Sequence, residues 1–86
     1  MAKYVINKKM SKIQKKMAII DAIDYCTGED MRYEIITKDV SIVYNAEKDC
    51  ITMYDSSDEV CEEVVTFMCK NVYISQMADF ILSYIG

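Results

Sequence analysis

The sequence predicts an α+β fold in the order helix, three antiparallel strands, helix, helix (αβββαα), and two changes of pattern predict it. Apolar residues recur at helical spacing from "SKIQ" onward and again after residue 56, whereas residues 31–55 alternate with a period of two. A chain of 86 residues with no proline, no internal repeat and no low-complexity stretch fits a single domain over 1–86. The simplest packing puts the helices on one face of a meandering sheet.

Ser11 with Gln14 three residues later has the spacing of a capping box. Met10, Ile13, Met17 and Ile20 then follow at helical spacing, and Gly28 supplies the stop. In its first turns this helix is expected to set an apolar face of Met10, Ile13 and Met17 against a lysine face of Lys8, Lys12, Lys15 and Lys16, with the apolar stripe continuing through Ile19, Ile23 and Cys26. Ahead of it, residues 3–6 read either as a short extra strand or as a lead-in.

Three short strands are expected within 31–55: one around Met31, Tyr33 and Ile35, one around Val40, Ile42 and Tyr44, and one around Ile51 and Met53. The connections "TKD" and "NAEKD" are tight, and Asn45 and Asp49 favour turns by bonding local backbone. A second helix is expected from "SSDE", where Ser56 and Glu59 repeat the capping-box spacing, to about Lys70. It would place Val60, Cys61, Val64, Val65, Phe67 and Met68 on one face. A third helix is expected from Ser75, carrying Met77, Phe80, Ile81, Tyr84 and Ile85 along a broad apolar stripe.

Charge is distributed unevenly. Residues 1–20 hold six lysines and no acid, while the rest holds four bases against fourteen acids, a local net of −10 inside an overall −4. The stretch "DSSDEVCEEV" concentrates five carboxylates with no base among them. Asp55, Asp58 and Glu59 would favour a helix amino terminus, where unpaired N–H groups attract negative charge. Glu62 and Glu63 would then stand as like-charge neighbours of Asp58 and Glu59, a surface suited to a basic partner. With Asn45, Glu47 and Asp49 at the hairpin tip, Asp58, Glu59, Glu62 and Glu63 form the expected acidic binding face.

Other chemistry finds little support. Carboxylates on an exposed helix face are weakly desolvated, so acid–base tuning is not expected and the chain reads as non-enzymatic. Without histidine, with Cys26, Cys50, Cys61 and Cys69 in no C-x-x-C spacing and without a calcium-loop pattern, no metal or cofactor is expected. The four cysteines read as small buried hydrophobes in a reducing cytoplasm. The opening residues lack the apolar run of a secretory signal, and Asp79 interrupts the apolar tail, so no membrane insertion is expected.

The alternative basic face, Lys8, Lys12, Lys15 and Lys16, has no arginine and no aromatic residue for stacking, which argues against direct nucleic-acid binding. The RNA-binding module with an overlapping element order opens its last helix with lysines; here the corresponding helix opens with "SSDEVCEE". The nearly uncharged tail suggests a second use, a homo-oligomer interface at Phe80, Ile81, Tyr84 and Ile85.

Residues 45–71, "NAEKDCITMYDSSDEVCEEVVTFMCKN", resemble the hairpin and following helix of small phage-encoded type II-A anti-CRISPR inhibitors. The resemblance covers about a third of the chain through turn, cap and helix residues. It implies a stoichiometric inhibitor whose acidic surface imitates nucleic acid and occupies a basic site on a nucleic-acid-handling protein, with Asn45, Glu47 and Asp49 as the residues carried over. That family's last helix is acidic, whereas "SQMADFILSYIG" is almost uncharged.

Overall fold

The local signal at Ser11 works as expected. In the computed structural model, which describes residues 4–28 and 32–86, Gln14 N–H donates to Ser11 Oγ at 3.2 Å and Ser11 N–H donates to Gln14 Oε1 at 2.8 Å. This reciprocal cap opens α1, Lys12–Gly28. Three strands follow, β1 (Tyr33–Ile35), β2 (Val40–Asn45) and β3 (Cys50–Asp55); Met31 lies outside the described residues.

The chain then departs from expectation. Residues 56–61 form a connection, and β4, Glu62–Met68, takes the place of the expected second helix. A final helix α2, Ile74–Ile85, begins one residue before the predicted Ser75. The order is therefore αββββα, with a four-stranded antiparallel meander β1-β2-β3-β4.

Two physical causes turn 56–70 from helix to strand and loop. Asp55 Oδ1 accepts the Ser57 N–H at 2.8 Å, and Ser56 N–H donates to Asp39 O at 2.8 Å, so the serines extend the sheet and turn instead of capping a helix. Beyond them, Val64, Val65 and Thr66 are consecutive β-branched residues, stiff in a helix and well suited to a pleated surface. Pairing sets Phe67 opposite Ile51 and Val65 opposite Met53, and a register shift between Met53 and Tyr54 then sets Glu63 opposite Tyr54. That irregularity adds one residue to the alternation, and the added residue made the apolar spacing look helical.

The extra strand considered at residues 3–6 is absent from Tyr4 to Ile6, and Lys3 lies outside the described residues. Val5 and Ile6 instead donate single backbone hydrogen bonds to Ile35 O and Ile36 O, at 2.9 and 3.2 Å.

Both helices feed one core. Ile19, Ala22, Ile23 and Cys26 of α1 meet Met77, Ala78, Ile81 and Leu82 of α2 above Ile42, Ile51 and Met53 of the sheet. This burial corrects part of the faces expected for the first turns of α1: Met10 packs against the core and Lys8 and Lys12 are exposed as expected, but the remaining four residues are not placed so. Ile13 and Met17 are 77% and 53% exposed, while Lys15 and Lys16 are half-buried. Counting back from Ile19 in steps of three and four reaches Lys16, Lys15 and Lys12, so the core stripe runs out into lysines whose stems lie along α2. Ile81 is fully buried and Ile85 half-buried, so of the four residues read as an oligomer surface only Phe80 and Tyr84 are exposed.

Candidate functional site

The residues expected to form one acidic face are divided between the two ends of β3. Asn45, Glu47 and Asp49 lie at the β2–β3 hairpin, and Asp58, Glu59 and Glu62 lie at or beyond the far end of β3, five residue steps or about 17 Å away.

At the hairpin, the polar groups hold the turn. Asn45 Oδ1 accepts Lys48 N–H at 3.1 Å, Asp49 Oδ1 accepts the Tyr44 hydroxyl at 2.8 Å, and Asp49 O accepts Cys69 N–H at 3.0 Å. Asp49 adopts a φ of 52°, a left-handed conformation that Asp tolerates better than most residues. Burial, and then the charge of the nearby Asp49, hold the Cys69 thiol above its ordinary pKa. Glu47 alone of the three projects without a bond.

The other end is different. Asp55 closes β3 and accepts the Tyr84 hydroxyl from the end of α2; that hydrogen bond, joined by the hydroxyl and amide of Ser57, holds its carboxyl below the usual range. Tyr84 is correspondingly raised, first by the hydrogen bond to Asp55 and by burial, and then by the charges of Asp55, Glu62 and Asp58. The phenol is therefore bonded to Asp55 and feels the charges of Glu62 and Asp58 as well. Among the described residues, Asp58, Glu59 and Glu62 accept no hydrogen bond and form no ion pair; the one salt bridge joins Lys16 Nζ to Asp79 at 2.8 Å. Val60, 66% exposed, sits between Glu59 and Cys61 in the same connection.

Strand geometry separates the remaining pair of acids. Glu62 acts on Tyr84 on the helix side, whereas Glu63 accepts the Thr66 hydroxyl at 2.7 Å on the open side of the sheet, where Thr66 and Thr52 share a further hydrogen bond at 3.0 Å. Glu63 thus lines a shallow depression of about 310 Å³ on the uncovered sheet face, with Cys50, Thr52 and Tyr54 on its floor.

The lysines also divide. Lys12 and Lys15 border a depression of about 490 Å³ beside Asp79 and Leu82, and Lys8, Lys15 and Lys38 border another of about 480 Å³ over Ile6 and Ile85. Lys16 is committed to Asp79. Of the cysteines, Cys26 and Cys50 are buried as expected, and burial pushes the Cys26 thiol up to about 11; Cys61 is exposed and Cys69 half-buried, which corrects the expectation for those two. No group of three or more potential ligands capable of holding a metal occurs among the described residues.

Sequence reasoning located Asp58, Glu59 and Glu62 but missed Tyr84, which bonds Asp55 and feels the charges of Asp58 and Glu62. The D-S-S sequence at a strand end, an Asx-turn signal, could have indicated that the acids sit on a loop. No helix among the described residues is long and apolar enough to cross a membrane. Comparison with protein-family models, with curated proteins and with solved structures finds no match.

Proposed function

We propose that the chain is a small, non-enzymatic protein-binding module that presents the β3–β4 connection to a basic surface of its partner. The observation that carries this reading is the acidic connection itself: Asp55 accepts the Tyr84 hydroxyl, and Asp58, Glu59 and Glu62 around it accept no hydrogen bond and form no ion pair among the described residues, beside the exposed Val60. Like charges gathered in this way repel one another, and a cationic partner relieves the repulsion. Such an arrangement steers association and makes its rate depend on salt.

The narrower version is an inhibitor that occupies a basic site on a nucleic-acid-handling protein in the cytoplasm, as the resemblance to anti-CRISPR inhibitors implies. The element following the hairpin in this chain is β4 and not a helix, so the acidic connection, and not a helix face, is the part that would imitate nucleic acid.

Affinity capture from a native lysate tests the reading, with wild type beside Asp58→Lys/Glu59→Lys and retained proteins identified by mass spectrometry. A basic protein held by wild type and released by the variant is the expected result. Equal retention by both chains removes the connection from the binding surface.

A further inference from the structure

The strand β4 closes the sheet and has a hydrogen-bonded neighbour on one side only. Two hydrogen bonds fix which of its groups face outward. Ser56 N–H donates to Asp39 O, which turns the even-numbered residues of β3 toward β2; Cys69 N–H donates to Asp49 O, which turns the odd-numbered residues of β4 toward β3. Thr66 and Met68 therefore direct their backbone groups away from the sheet. The Met68 carbonyl is taken by Asn71 N–H at 2.9 Å, leaving both groups of Thr66 and the N–H of Met68 for a further strand.

Edge strands are ordinarily protected by charges and irregularities, and β4 has both, in Glu62, Glu63 and the register shift. All three lie at its first end. Immediately past its other end is Lys70, exposed and in no ion pair among the described residues. Against an arbitrary strand the glutamates repel or remain unmatched, but antiparallel pairing with an identical strand brings each copy's Lys70 to the other copy's glutamates. The middle of the strand is apolar and partly uncovered. Phe67 meets Phe80 of α2 edge-to-face with ring centroids 5.5 Å apart, Phe80 is 42% exposed, and Met68 is 41% exposed.

We propose that two copies of the chain associate through β4, antiparallel about a two-fold axis near Thr66. The two sheets become one of eight strands, Lys70 of each copy comes to the Glu62–Glu63 end of the other, and the Phe67 and Phe80 rings of both copies cover one another beside the axis. The proposal goes beyond the proposed function and does not rest on it: Asp55, Asp58 and Glu59 lie outside the paired segment, and only Glu62, at its first end, belongs to both surfaces.

Sedimentation equilibrium of the full chain tests it, with circular dichroism as the check on folding. Wild type is expected to dimerise. Thr66→Pro removes an outward N–H that the native sheet does not use and is expected to give a folded monomer. Lys70→Glu replaces two attractions by two repulsions and should raise the dimer Kd about tenfold, and adding Glu63→Lys should restore it. A chain that stays monomeric up to about 1 mM overturns the proposal, as does a dimer indifferent to both Lys70→Glu and the compensating pair. Should Thr66→Pro fail to fold, the Lys70 and Glu63 variants decide alone.

Discussion

The two ends of β3 carry similar residues and use them differently. At the hairpin, Asn45 and Asp49 bond the turn, the Tyr44 hydroxyl and the neighbouring strand, so their side chains are occupied in holding the backbone. At the opposite end, Asp55 and Glu63 are held, by Tyr84 and Ser57 and by Thr66, while Asp58, Glu59 and Glu62 accept no hydrogen bond and form no ion pair among the described residues. Acidic residues clustered in sequence therefore separate into structural acids and available acids. What separates them is whether a local donor lies within reach, not how many carboxylates the stretch contains.

The comparison breaks most directly at Asp49. Asp49→Val places a β-branched residue at positive φ and removes the partner of Tyr44, and it should cost about 2–3 kcal/mol in urea unfolding. Asp58→Val at the other end should change stability by no more than about 0.5 kcal/mol. Equal losses at both positions would show that the connection is as structurally committed as the hairpin.

A smaller effect sharpens the role of Asp55. Its folded pKa lies below the ordinary carboxyl value of 3.8, so its contribution to stability is present above that value and is lost as pH falls through the folded pKa. Tyr84 is raised above the ordinary phenol value of 10.0, so its contribution is present below that value and is lost as pH rises through the folded pKa. Tyr84→Phe should move the Asp55 midpoint upward toward 3.8 in a carboxyl-carbon NMR titration. An unmoved midpoint would mean that Ser57 alone holds this carboxylate.

These differences also mark what the sequence makes legible. The Ser11–Gln14 cap, the three strands of 31–55 and the last helix are all specified by neighbours within a few residues. The same spacing at Ser56 and Glu59 misleads, because Ser56 is drawn to Asp39, seventeen residues away, and Ser57 to Asp55. The apolar pattern of 60–68 misleads for a related reason: a register shift against β3 makes a strand with an added residue resemble a helix, and the partner strand that decides between them is not local. In α1, the lysines stand on the face that continues the core stripe because α2 passes beside them, and Lys16 finds Asp79 there. The acids of the candidate site were visible; their separation to two ends of the sheet, and their meeting with Tyr84, depend on the same long-range pairing.

The central claim is that the β3–β4 connection, and not the hairpin, meets a basic partner. The measurement that tests it most directly is the association rate with the captured partner at low salt, for wild type, Asp58→Lys/Glu59→Lys and Glu47→Lys. The account predicts a fall of about tenfold or more for the connection variant and a change within about twofold for the hairpin variant. A larger loss from Glu47→Lys, or equal rates for all three chains, would contradict it.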